Sequence, residues 1–95
     1  MFEIVLQELA VDSLKRLKPF HRRAILDAIE AQLRSEPQRP SKSSIKRLRG
    51  HQRSTYRLRV GAYRVFYDVA HGTVTILNIL HKSQTAAYYG EGETE

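Results

Sequence analysis

The chain contains no cysteine among its 95 residues, which excludes disulfide bonds and thiolate metal sites. No apolar run approaches the roughly 20 residues that a membrane-spanning helix needs. The N-terminal segment carries Glu3 and Glu8 and lacks a basic start, so we expect no signal peptide. These absences favour a reducing compartment, and we expect a cytoplasmic protein without membrane contact.

Acidic residues are missing from the middle of the chain. Residues 37–67 contain nine Lys or Arg and no Asp or Glu. Residues 1–36 carry six residues of each sign, and residues 68–95 carry one Lys and four acids, so the formal charge of +6 arises in the central stretch. A surface of one sign favours a polyanion or an acidic protein partner. A solvated surface that only keeps the protein soluble is the alternative.

The N-terminal half predicts one strand and two helices. With 41% hydrophobic and 27% charged residues, the chain fits a single soluble domain over residues 1–95, and we expect the acidic tail from about residue 90 to fray. Residues 2–6 predict a short strand. Apolar residues then recur with the period of a helix, and Pro19 marks the start of the second helix. Residues 35–44, which are rich in Pro and Ser, predict a loop.

The C-terminal half predicts three strands. Apolar and basic residues alternate over residues 56–60, as in a half-buried strand, and Gly61 and Ala62 predict a tight turn into a strand over residues 63–69. Residues 74–80 predict a third strand that is apolar on both faces. The order β-α-α-β-β-β predicts an α+β fold, in which an N-terminal strand and a helical hairpin pack on one face of a small, mainly antiparallel sheet.

Three segments resemble the RelE/ParE toxin superfamily. They are IKRLRG at residues 45–50, YRLRVGAYRVFYD at residues 56–68 and ILHK at residues 79–82. The resemblance implies the toxin of a type II toxin–antitoxin system, of the RelE-like branch, which cleaves mRNA on the ribosome without a cofactor. It also implies three partners: a cognate antitoxin, the ribosome with mRNA in its A site, and operator DNA only through the antitoxin.

The resemblance also implies which residues form the site. The expected catalytic set is Arg59, Arg64, His81, Lys82 and Tyr88. The expected RNA-phosphate contacts are Lys46, Arg47, Arg49 and Arg57. In the best-studied members the strand bears Lys where this chain bears Arg57 and Arg59. Arg stays protonated, so neither residue is a candidate for the general base.

Metal-independent RNA cleavage needs a base for the 2′-hydroxyl, cations for the charged transition state and an acid for the leaving 5′-oxygen. Arg64 offers the bidentate fork that suits phosphate oxygens, and we predict that it stabilises the transition state. Histidine is the residue type that titrates closest to neutral pH, which makes His81 the candidate acid or base. Tyr88 is a weaker candidate, because neighbouring cations must first lower the pKa of its phenol from the ordinary value of about 10.

Other functions remain open from the sequence. One is a ParE-like inhibitor of DNA gyrase without nuclease activity, and another is a non-catalytic member that docks an antitoxin or helps it to bind DNA. The same residues also have ordinary interpretations, since Arg64 is positioned to pair with Asp68 and Lys82 to protect a sheet edge. No His or carboxylate pair shows ligand spacing, so we expect no metal site.

Overall fold

The computed structural model describes residues 1–40, 44–48 and 54–86. The elements follow the predicted order, with one additional strand between the helices and the C-terminal meander. They are β1 (Glu3–Leu6), α1 (Glu8–Arg16), α2 (Pro19–Leu33), β2 (Ile45–Arg47), β3 (Tyr56–Val60), β4 (Tyr63–Ala70), β5 (Thr73–His81) and a 3₁₀ helix (Lys82–Gln84).

The strands form one five-stranded sheet in the order β1-β5-β4-β3-β2. Strand β1 runs parallel to β5, and all other neighbours are antiparallel. Two helices lie against this mainly antiparallel sheet, which confirms the predicted α+β class. No helix in the described ranges is both long and apolar enough to span a membrane.

The main core lies between the helices and one face of the sheet. Ile25 and Leu33 of α2 pack with Leu58 of β3, Val65 of β4 and Ile76 of β5, and each is almost completely buried. Burial of such side chains contributes roughly 1.5–3 kcal/mol each. This face carries the odd-numbered residues of β4 and the even-numbered residues of β3, as the period-2 pattern predicts.

The turn between α1 and α2 is fixed by one arginine. Pro19 begins α2, as predicted, because its φ suits the first helical position and its missing N–H is not needed there. The Arg22 side chain donates to the carbonyl oxygens of Leu14 at 3.0 Å and Leu17 at 2.8 Å. These carbonyls belong to the end of α1, where backbone acceptors lack helical partners. Arg22 therefore ties the second helix to the end of the first.

The opposite face of the sheet carries a second, smaller apolar cluster. Leu48 and Phe66 are buried there, and Leu80 packs against them. Alternation along β3 and β4 places Arg57, Arg59 and Arg64 on this face, away from the helices. The predicted cations of the sheet therefore share a face with a second apolar cluster, on the side of the sheet away from α1 and α2.

A β-bulge changes the face on which the last residues of β5 lie. Tyr67 is paired with Ile76, whereas its neighbour Phe66 is paired with Asn78, so β5 holds one extra residue at this point. Val74 and Ile76 face the helices before the bulge, and Ile79 faces them after it. His81, two residues beyond Ile79, consequently lies on the helix side of the sheet.

Both hairpin turns use positive φ angles. Gly61 has φ 58° at the first loop position between β3 and β4, as a type II′ turn requires. His71 and Gly72, between β4 and β5, have φ 51° and 77°, the pattern of a type I′ turn. The first turn lies where the sequence predicts it, and the two turns together set the register that brings the strand ends together.

Candidate functional site

Three strands end together at one end of the sheet. Val60 of β3 is paired with Tyr63 of β4, which is paired in turn with His81 of β5. The backbone N–H of Lys82 donates to the carbonyl oxygen of Ala62 at 2.8 Å and fastens the end of β5 to the β3–β4 turn. Four of the five predicted catalytic residues lie at this place, which we name the basic end: Arg59, Arg64, His81 and Lys82.

The basic end presents different residues on the two sides of the sheet. Arg59 is paired with Arg64, which is paired with Leu80 of the second apolar cluster, so both arginines lie on the face away from the helices. The His81 ring meets the Tyr63 ring edge to face, with centroids 5.6 Å apart, on the helix side. A polyanion that contacts both sets must therefore cross the end of the sheet.

The two arginines of this pair differ in exposure. Arg59 is exposed, whereas Arg64 is 2% exposed. The Arg64 Nη1 donates to the carbonyl oxygens of Gly61 and Tyr63, both at 2.9 Å. Arg64 thus holds the β3–β4 turn and keeps its positive charge beneath the surface that Arg59 presents.

The predicted Asp68 partner of Arg64 has a different described contact. Asp68 Oδ1 accepts a hydrogen bond from the backbone N–H of Thr55 at 2.6 Å. This bond joins β4 to the residue that precedes β3. The carboxylate of Asp68 therefore fixes the start of the β3–β4 hairpin, at the opposite end from the Gly61 turn.

Farther along the same face, Arg57 is also buried. It is 9% exposed, its Nη1 donates to the carbonyl oxygen of Ser44 at 3.0 Å, and its Nε is buried without a hydrogen-bond partner. Lys46 is paired with Arg57 across β2 and β3, and Arg47 is exposed. Arg47 is paired with Tyr56 of the main core and lies on the helix side of the sheet, so of these three predicted phosphate contacts only Lys46 and Arg57 share a face.

His81 is held in one orientation by Ser83. Its Nδ1 accepts a hydrogen bond from the Ser83 backbone N–H at 3.2 Å and lies 2.8 Å from the Ser83 hydroxyl oxygen. An acceptor at Nδ1 places the proton of the neutral ring on Nε2. In this arrangement Nε2 carries the proton and donates, and Nε2 can accept a proton only after it has lost its own, which in the neutral ring requires the proton to lie on Nδ1 instead.

A cavity adjoins His81 on the helix side of the basic end. It has a volume of about 190 Å³, and residues from α1, β4 and β5 line it. Ser13 and Arg16 of α1 line it together with Tyr63 and His81. Tyr63 was not among the predicted site residues. Only the pairing of Tyr63 with His81, which depends on the register, shows that its ring borders the site.

Two predicted site residues, Arg49 and Tyr88, lie outside the described residues, as does the predicted frayed tail. Their roles stay predictions. Within the described ranges, no group of three or more His, Asp or Glu side chains is arranged to hold a metal ion.

The fold and the sequence both match toxins. The model of the family described as the ParE toxin of the type II toxin–antitoxin system parDE matches residues 4–86. The match covers most of the chain, so the chain belongs to the ParE toxin family of type II toxin–antitoxin systems, within the RelE/ParE superfamily. A search of curated protein sequences found no significant match.

Solved structures of toxin–antitoxin complexes share the fold. The chain is 29% identical to a chain of the RelBE2 complex from Mycobacterium tuberculosis, with a TM-score of 0.73, 84% of this chain covered and 96% of that one. It is 27% identical to a chain of the RelE–RelB complex from Pyrococcus horikoshii, with a TM-score of 0.71, 87% of this chain covered and 97% of that one. It is 28% identical to a chain of the RelB–RelE complex from Methanococcus jannaschii, with a TM-score of 0.65, 83% of this chain covered and 91% of that one.

Proposed function

We propose that this toxin inhibits translation as a ribosome-dependent mRNA endoribonuclease. The observation that carries the proposal is the basic end, where Arg59 of β3 and the consecutive residues His81 and Lys82 at the end of β5 lie at the same end of the sheet. Fixed cations at the end of the sheet suit the extra charge of a phosphorane bound across that end. The identity of 27–29% to chains of RelE–RelB and RelBE2 complexes over most of their length supports the same branch.

The proposed reaction transfers the phosphoryl group within the RNA. The 2′-oxygen attacks the adjacent phosphorus, the bond from phosphorus to the 5′-oxygen breaks, and a cyclic phosphate forms. One proton leaves the 2′-hydroxyl for a base, and another reaches the 5′-oxygen from an acid. The exposed Arg59 and Lys82 bind the non-bridging oxygens. His81 transfers a proton at Nε2, and Tyr88 is the second proton-transfer candidate.

Arg64 acts in one of two ways in this proposal. In the described conformation its guanidinium holds the Gly61 turn and contributes a buried positive charge. Direct contact with phosphate requires the guanidinium, which is almost completely buried, to become accessible. We keep the prediction that Arg64 stabilises the transition state, and Arg64→Ala then lowers the cleavage rate more than it lowers ribosome affinity. Equal losses in the two quantities would show that Arg64 only supports binding.

The partners follow from the same proposal. Three similar solved structures are complexes of a toxin with its antitoxin, and we propose that a cognate antitoxin neutralises this chain too. Contact with operator DNA is then made only through the antitoxin. The toxin acts in the cytoplasm on ribosomes that carry mRNA in the A site.

Primer extension on a translated reporter mRNA tests the proposal. Purified toxin should produce new 5′ ends at codon-spaced positions, and Arg59→Gln or Lys82→Gln should reduce them by tenfold or more, a loss of about 1.4 kcal/mol of transition-state stabilisation. Arg39→Gln is the matched control, since Arg39 is exposed in the loop after α2. Absence of new ends at toxin concentrations that stop translation would refute the nuclease assignment.

Inhibition of DNA gyrase without nuclease activity is the second candidate. Two observations favour it: the matching family model is that of ParE toxins, and Arg57 and Arg64 are both buried in the described conformation. A supercoiling assay with purified gyrase separates the candidates. Inhibition of supercoiling by wild type, with no cleaved mRNA, would assign the chain to this second function.

A further inference from the structure

A second basic cluster lies at the turn between α1 and α2. Residues 15–23 contain five Lys or Arg and no acid, with Phe20 and His21 among them. The net charge of residues 1–36 is nonetheless zero, because acids elsewhere in that stretch balance these basic residues. Basic residues interleaved with aromatic rings are typical of surfaces that bind single-stranded nucleic acid.

The fold brings this turn next to the basic end. The His21 ring lies 5.4 Å from the Phe20 ring and 5.5 Å from the Tyr63 ring, and Tyr63 lies 5.6 Å from His81, all between centroids. Four rings thus form a continuous row from the start of α2 to the end of β5. One end of the row is the candidate proton-transfer residue, and the other is a phenylalanine that is 78% exposed.

Three cations of the cluster are available to a ligand. The side chains of Lys15, Arg16 and Lys18 are exposed and form no hydrogen bond or ion pair in the part of the chain that the structure describes. By contrast, Arg22 is bound to carbonyl oxygens of α1, and Arg23 lies 3.7 Å from Asp27. The available charge therefore lies on the side of the turn that carries Arg16, and Arg16 also lines the cavity beside His81.

Two cavities flank the row of rings. One is the 190 Å³ cavity beside His81, and the other has a volume of about 260 Å³ between the start of α2 and the β3–β4 turn. The second is lined by Phe20, His21, Val60 and Tyr63, among others, and is mostly apolar. Each is several times larger than the about 30 Å³ that a water molecule occupies, so both are recesses that hold more than one water.

We propose that this surface binds single-stranded RNA. The surface, which we name the ring row, consists of Phe20, His21, Tyr63 and His81 with the flanking Arg16 and Lys18. Bases stack on the rings, and the cations contact the phosphates between them. The proposal rests on the nuclease function and deepens it. The RNA strand crosses the end of the sheet from Arg59 and continues along the ring row toward Phe20.

RNA fits this surface better than an acidic protein segment does. The exposed cations suit either ligand, but Phe20 is 78% exposed, so most of its ring is open to a base, and the adjoining rings at 5.4–5.6 Å extend the aromatic surface. An apolar protein side chain needs the hydrophobic surface of Phe20 and not its π-face. Phe20→Leu separates the two, because it keeps an apolar side chain and removes the ring.

Fluorescence anisotropy with a labelled single-stranded oligouridylate tests the proposal. Phe20→Leu should raise the Kd about fivefold or more, and Phe20→Trp should restore or improve binding. Arg16→Gln and Lys18→Gln should each reduce the slope of log K against log salt by about 0.7. Arg39→Gln, which removes an exposed charge far from the ring row, should change neither quantity. All four positions are exposed, so the folded state is expected to be preserved.

An abasic oligomer provides the second measurement. Wild type and Phe20→Leu should bind it equally, because no base remains to stack. If Phe20→Leu binds oligouridylate as tightly as wild type does, or loses equal affinity for both oligomers, the proposal is overturned. Its failure is distinguishable from that of the nuclease assignment: codon-spaced cleavage by a toxin that lacks the Phe20 effect rejects only the ring row. A Phe20 effect in a toxin that cleaves nothing rejects only the nuclease.

Discussion

Replacement of Arg57 by methionine should leave the fold as stable as before, or more stable, although it removes a buried side chain. Arg57 is 9% exposed, and its Nε has no hydrogen-bond partner. A buried donor without a partner costs about 1–3 kcal/mol. The side chain recovers a similar amount, about 1.5–3 kcal/mol, through the charge-assisted bond from Nη1 to the Ser44 carbonyl oxygen. The hydrogen-bond contributions therefore nearly cancel.

The remaining contributions favour the substitution. Burial of a guanidinium carries a desolvation cost that an apolar side chain of similar length does not. The Ser44 carbonyl oxygen also accepts the backbone N–H of Arg59 at 2.8 Å, so Arg57→Met does not leave it without a donor. We expect the free energy of unfolding to stay unchanged or to rise by up to about 2 kcal/mol. The chain tolerates this cost because it keeps positive charge on this face.

Urea denaturation measures the effect. Arg47→Met is the control, because Arg47 is exposed on the neighbouring strand and its replacement should change stability by less than about 0.5 kcal/mol. Oligouridylate affinity, measured on the same samples, should fall for Arg57→Met despite its equal or higher stability. A loss of more than about 1 kcal/mol of stability relative to Arg47→Met would refute the reasoning, since it would show that Arg57 stabilises the native state.

Two further predictions concern residues that hold the fold around the site. Gly61→Ala should lower the free energy of unfolding by about 1–2 kcal/mol in thermal or urea denaturation. The φ of Gly61 is 58° and an added Cβ meets no atom within 4 Å, so backbone strain alone causes the loss, and an unchanged stability would contradict the turn geometry. Burial raises the pKa of the Tyr67 phenol, whose hydroxyl donates to the Pro37 carbonyl oxygen at 2.6 Å. The protonated phenol stabilises the folded state fully below the unfolded-state pKa of about 10, and this stabilisation is lost as pH rises from there toward the folded-state pKa. Tyr67→Phe should therefore cost about 1 kcal/mol at neutral pH and make stability fall less steeply with alkaline pH. A wild-type stability that does not fall above pH 10 more steeply than that of Tyr67→Phe would contradict this assignment.

The strands of the C-terminal half could be predicted because their local signals agree. Period-2 alternation and turn residues at Gly61 and Gly72 define both hairpins. Strand β2 was not predicted as a strand, since three residues are too few to show a period. The parallel pairing of β1 with β5 depends on where the helices return the chain, which neighbouring residues do not encode.

The sequence predicted which residues lie at the candidate site better than it predicted how they are arranged there. Alternation correctly placed Arg57 and Arg59 on one face. It gave no information on burial, which depends on what packs over that face, so the low exposure of Arg57 and Arg64 was not foreseen. The side on which His81 lies depends on the bulge between Phe66 and Tyr67, because one extra residue in β5 reverses the alternation.

The central claim is that the basic end promotes attack by a 2′-hydroxyl of ribosome-bound mRNA. The most direct test compares two mRNAs in purified ribosome complexes, one natural and one with a single 2′-deoxynucleotide on the 5′ side of the mapped cleavage position. The account predicts that wild-type toxin cleaves the natural mRNA at that position and leaves the deoxy mRNA intact there. Equal cleavage of both, or intact natural mRNA at toxin concentrations that stop translation, would contradict it.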